Sequence, residues 1–184
     1  MKGITKIRIG QITALTSFLL GTVLFLSYVI TENDHLLFVG YFFIVIVGGV
    51  NLIVLLWLLF QRSEDKAISK GLNLSKLFIV ANIPVAILYS FGIMIMLSYM
   101  RITFINKTGS MISNIRIIGC DDKSLSKMNP NEKTMKWIGI NGDCSIDIKY
   151  SIGEIEYQES VIGYVSGLMG QRYQYKIGID DGKF

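Results

Sequence analysis

Hydrophobic and polar positions divide this chain into two regimes. Residues 9–31, 36–61 and 77–100 contain no Asp, Glu, Lys, Arg or His, whereas charged side chains recur throughout the remainder. A helix rises about 1.5 Å per residue, and about 20 apolar residues cross a bilayer's hydrocarbon core. Stretches of 23, 26 and 24 residues are each long enough. Their apolar centres, 12–30, 36–60 and 77–97, predict three transmembrane helices. Lys2, Lys6 and Arg8 before the first resemble the charged start of a signal peptide. Its apolar run is long, however, and no convincing small-x-small pattern precedes Thr31, so we read a retained helix. Residues 31–35 are short enough to make the first pair an antiparallel hairpin, and 61–76 form a longer polar surface link.

After the third span the period falls to two. Cys144, Ile146, Ile148 and Tyr150 alternate with Ser145, Asp147 and Lys149, and Tyr173, Tyr175, Ile177 and Ile179 with Gln174, Lys176 and Gly178. Such alternation marks half-buried strands. Shorter alternations complete a set of seven strands at 101–106, 112–118, 134–138, 144–150, 154–158, 161–165 and 173–179. Turn residues separate them, including Asn129-Pro130 and the Asn141-Gly142 pair favoured in tight hairpins. Closely spaced strands without intervening amphipathic helices predict an antiparallel sandwich-like domain. The fold class is therefore membrane α+β, with a three-helix domain over 1–100 and a β domain over 101–184.

Composition and charge narrow the function. The three stretches of membrane-spanning length exclude an ordinary soluble enzyme, in a chain with 51% hydrophobic and 17% charged residues. Lys2, Lys6, Arg8, Arg62, Lys66, Lys70 and Lys76 flank the spans on one side, whereas the first loop carries Glu32 and Asp34 and no Lys or Arg. This bias predicts a cytoplasmic N-terminus and an outer β domain. For a bacterial chain that means the inner membrane, with the β domain periplasmic or extracellular. The overall charge of +4 arises mainly in the helical part. With 11 basic and 10 acidic residues, the tail has little net attraction for phosphate, and no nucleic-acid partner is expected.

Candidate chemistry is sparse. His35 is the single histidine, so a metal site would need other ligands, and no cofactor is expected. Glu154, Glu156 and Glu159 suggest paired acids only weakly, and a solvated strand face is the simpler reading. Asn51 and Asn82 are the large polar side chains inside the spans, suited to bonds between helices or with another subunit. Gly48 and Gly49 permit close helix approach, and Pro84 frees a backbone carbonyl. Cys120 and Cys144 are not a CxxC unit; they are either one disulfide or two independent buried thiols. Gly163, Gly167 and Gly170 lack the GxGxxG spacing and the preceding βα unit of a phosphate cradle. Around them, Tyr164, Val165, Leu168 and Met169 form a candidate apolar contact loop on the outer side.

These features favour a non-catalytic accessory or assembly subunit of a membrane complex, its helices bound to other membrane subunits and its β domain to an outer-side partner. A membrane immunity protein fits the same features. A homo-oligomeric channel or transporter component would line its path with Asn51 or Asn82. A membrane-anchored enzyme would use the outer domain, with Cys120 or Cys144 as candidate groups.

Overall fold

The computed structural model describes residues 2–178, among which run three helices and seven strands. The helices are α1 (Lys2–Thr31), α2 (Asp34–Leu59) and α3 (Lys66–Leu97), and all are long and apolar enough to cross a membrane. The chain divides into two compact units, Met1–Gly92 and Ile93–Phe184. The division falls within α3, so the last turn of that helix belongs with the strands.

In the helical unit α1 packs against both of the others. Lipid tails are as apolar as leucine, so helix association in a bilayer depends on close packing and interhelical hydrogen bonds. Gly10 supplies the closest packing. A Cβ there would lie 2.8 Å from Leu58 Cδ1 of α2 and 2.9 Å from Ser75 Cβ of α3. Gly71 similarly receives the Ile7 side chain. Ala14, Leu58, Leu72 and Ile79 form the small core at this crossing.

The predicted 61–76 surface link is shorter than expected, because α3 already begins at Lys66. Asp65 starts it by accepting from the Ala67 and Ile68 backbone N–H groups, at 2.8 and 3.3 Å. Ile68, Gly71, Leu72 and Ser75 then recur at helical spacing and meet α1 or the small core, while Lys66, Lys70 and Lys76 occupy other positions. The first amphipathic turns of α3 thus occupy a stretch that charge alone marks as a loop.

The strands are β1 (Tyr99–Asn106), β2 (Ile112–Gly119), β3 (Lys123–Met128), β4 (Lys133–Gly139), β5 (Cys144–Ile152), β6 (Ile155–Val165) and β7 (Arg172–Ile177). They form a three-stranded sheet in the order β4-β1-β7 and a four-stranded sheet in the order β3-β2-β5-β6. Both sheets contribute to one core, including Ile102 and Phe104 from β1, Ile115 and Ile117 from β2, and Ile146 and Ile148 from β5. Full burial of a side chain of this size stabilises by about 1.5–3 kcal/mol over exposure.

Several boundaries depart from expectation. The strands predicted at 154–158 and 161–165 are one continuous β6, and β3 is an additional strand. The predicted end of the last strand, at Ile179, lies outside the described residues. Pairing is antiparallel except between β1 and β7, which run parallel with Arg101 opposite Arg172 and Asn106 opposite Ile177. Parallel neighbours require a crossover. Here the chain passes through the other sheet before β7 starts at the same end as β1. The Asn141-Gly142 segment is likewise no hairpin, because β4 and β5 belong to different sheets. It arches between the layers.

Candidate functional site

The two asparagines of the candidate membrane spans bond inside the helical unit. Asn51 Nδ2 donates to Ser17 Oγ of α1 at 2.6 Å and to the Val47 carbonyl at 2.8 Å. Its buried Oδ1 has no hydrogen-bond donor. Asn82 Nδ2 donates to the Ala14 carbonyl of α1 at 2.9 Å, and Ser75 Oγ to the Ile7 carbonyl at 3.1 Å. Farther along, Tyr89 stacks on Phe25 with ring centroids 4.4 Å apart, and its hydroxyl lies 2.8 Å from Thr22 Oγ1. These contacts join α1 to both neighbours.

Gly48, Gly49 and Pro84 are placed differently. A Cβ at Gly48 or Gly49 would meet nothing within 4 Å, so this part of α2 offers backbone to its surroundings. Phe42, Val45, Ile46, Leu52 and Ile53 around it are exposed. Pro84 is exposed within α3. His35 is exposed at the start of α2, where its backbone N–H donates to Asn33 Oδ1 at 3.0 Å.

In the β unit, Cys120 and Cys144 are joined by a disulfide, with Cα atoms 5.3 Å apart. The bridge ties the segment after β2 to the first residue of β5, beside the pairing of Gly119 with Ile146. Gly119 is indispensable to that junction. Its φ is +124°, and a Cβ would lie 1.9 Å from the Ser145 carbonyl oxygen.

The three glutamates separate sharply. Glu154 and Glu156 are exposed, as a solvated face requires. Glu159 instead accepts from the Tyr150 hydroxyl, from the Tyr175 hydroxyl at 2.8 Å and from the Gly178 N–H at 3.0 Å. Tyr150 belongs to β5, Glu159 to β6 and Tyr175 to β7, so one carboxylate clasps the two sheets along their β6 and β7 edges. Burial, followed by the bond to Glu159, raises the Tyr175 pKa well above the ordinary tyrosine range. Spacing gave no cue to this cluster; Tyr150 and Tyr175 lie 9 and 16 residues from Glu159, on the strands before and after its own, and only the fold brings them to one carboxylate. At another junction Asp121 accepts from the Gly139 N–H at 3.2 Å and pairs with Lys123 at 2.9 Å. Those two partners lower its pKa. Among the described residues no group of three or more His, Cys, Asp or Glu is placed to hold a metal ion.

The candidate contact loop splits. Val165 is buried in the β core as the last residue of β6, whereas Tyr164, Leu168 and Met169 are exposed. Leu168 has a φ of +64°, and Ser166 Oγ donates to Asp143 Oδ1 at 2.6 Å. Gly170 then donates its N–H to the Leu97 carbonyl at 2.7 Å. A Cβ at Gly170 would collide with the Leu97 and Tyr99 carbonyls, so glycine allows this approach.

Comparison with protein families, with curated proteins and with solved structures finds no match.

Proposed function

We propose that this chain is a non-catalytic accessory or assembly subunit of a membrane complex. Its N-terminus is cytoplasmic and its β unit lies on the outer side, periplasmic or extracellular if the membrane is a bacterial inner membrane. The basic residues around the N-terminus and before α3 support that orientation.

The supporting observation is the division of polar and bare surface among the helices. Asn51, Asn82 and Ser75 direct their donors to groups on α1. That arrangement favours structural bonds over a polar path through one copy. Meanwhile α2 contributes Leu58 as its buried residue and leaves Gly48 and Gly49 open. Small residues on an open apolar face let a second helix approach closely enough for extensive van der Waals contact. Other membrane subunits are thus the partners proposed for this face.

The test is the mass and composition of the particle recovered from native membranes in mild detergent. Different subunits in one particle, lost in a Gly48→Leu/Gly49→Leu variant, are expected. A homo-oligomer would replace this reading with the channel hypothesis. A lone monomer would favour a conditional binder such as an immunity protein.

A further inference from the structure

We infer that the turn carrying Leu168 and Met169 is a membrane-surface wedge, and that lipid, rather than another protein, covers it. This inference requires α3 to span the bilayer but is independent of the accessory role.

Leu97 ends both α3 and its strongly apolar segment. Its carbonyl is one of the acceptors that a helix leaves without an intrahelical donor. The Gly170 N–H satisfies it at 2.7 Å, and the absent side chain of Gly170 allows that backbone contact. Consecutive Cα atoms lie about 3.8 Å apart, so Met169 and Leu168 lie within about 8 Å of Gly170 along the chain. The polar interfacial zone on each side of a bilayer is about 5–8 Å thick. The turn is consequently anchored at the depth where α3 leaves hydrocarbon. There the sequence places two large apolar side chains, 55% and 54% exposed.

A second set of residues reaches the same level. Tyr99 follows Leu97 by two positions and packs against Trp137 of β4, with ring centroids 5.9 Å apart. Both rings retain exposed surface. Two extended residues advance about 7 Å, which keeps Tyr99 in the interfacial zone. Tyr and Trp favour that zone because an apolar ring and a polar N–H or O–H suit its two sides. The chain's own path, from helix end to aromatic pair, therefore identifies lipid as the occupant.

The full purified chain in lipid nanodiscs provides the test. A Leu168→Trp probe is built with Trp57→Phe and Trp137→Phe, and Met169→Trp provides an independent second probe. Blue-shifted emission, quenching by lipid brominated near the top of the acyl chain, and protection from aqueous iodide are expected for both. A solvent-like emission maximum, strong iodide quenching and no bromolipid quenching would overturn the wedge. Protection in native membranes but not in nanodiscs would also overturn it, in favour of a protein partner. A Phe91→Trp probe, at an exposed position of α3 and built with Trp57→Phe and Trp137→Phe, reports insertion of that helix. Loss of its bromolipid quenching would refute the spanning premise, and hence the wedge, without testing subunit association.

Discussion

Removing the Cys120–Cys144 bridge should selectively destabilise the β unit. The cysteines are 24 positions apart, and the intervening chain includes β3 and β4. It leaves the four-stranded sheet, crosses to the other sheet as β4, and returns as β5. Without the bridge, the unfolded chain recovers the freedom of that excursion. Loop-closure entropy for this separation corresponds to about 3.5 kcal/mol at 25 °C, and a typical urea dependence makes this about 2 M in the unfolding midpoint. A Cys120→Ala/Cys144→Ala variant can be compared with the parent in mild detergent. In a Trp57→Phe background Trp137 is the reporter, which confines the fluorescence signal to the β unit. Reduction of the parent should reproduce most of the loss. A change below about 1 kcal/mol, with the denaturant slope unchanged, would refute the claim that the bridge restrains this excursion.

The same bond tests the proposed orientation. Disulfides persist in oxidising compartments and are rare in a reducing cytosol. Both thiols should resist maleimide in freshly denatured whole cells until a reductant is added. Ready labelling before reduction would contradict an outer β unit.

Other expectations follow from local geometry. Gly119→Ala introduces a Cβ against the Ser145 carbonyl at a positive φ and should cost about 3 kcal/mol or more, measured by the same unfolding curve. Glu159→Gln replaces charged with neutral acceptance at the clasp and should lower stability by about 1–3 kcal/mol, whereas no change would refute an inter-sheet role. Tyr175 has a raised folded-state pKa, so its contribution is full below its unfolded value near 10.0 and declines as pH rises through the folded value. Phenolate absorbance should reveal a late-titrating tyrosine that Tyr175→Phe removes. Asn82→Leu should weaken helix association by about 0.6 kcal/mol, at most about 1.7, in a detergent unfolding assay.

The regular elements were legible where one physical demand governed a long stretch. Lipid requires apolar residues over whole turns, and a two-faced strand requires alternation, as at Cys144–Ile152. Elsewhere tertiary contacts change what a polar residue does, and local pattern does not carry that information. Glu159 falls between the strands expected at 154–158 and 161–165, where pattern groups it with solvated carboxylates; bonded to Tyr150 and Tyr175 on neighbouring strands, it lies within a continuous β6. The Lys- and Ser-rich β3 is an edge strand, where charge limits association with another sheet and weakens the alternating signal. Asn141-Gly142 carried hairpin chemistry but connects layers, a distinction that local propensity does not contain. Of the proposed contact loop, Val165 belongs to the core, whereas Tyr164, Leu168 and Met169 remain exposed.

The glycines show why surface and packing roles are difficult to separate by sequence. Gly10 and Gly48 are both glycines in apolar helices, yet a Cβ on the first would strike two neighbouring helices and one on the second would strike nothing. In lipid, a bare backbone gains by meeting another helix, because hydrophobic burial alone gives helices little reason to associate. Gly10 already meets that condition within the chain; Gly48 and Gly49 leave it to a neighbour. If leucine at those two positions leaves the native particle intact, their open face serves lipid contact and the proposed subunit interface must lie elsewhere. If the particle dissociates while the Asn82 bond and the disulfide persist, the glycines join this chain to its partner without holding its own fold together.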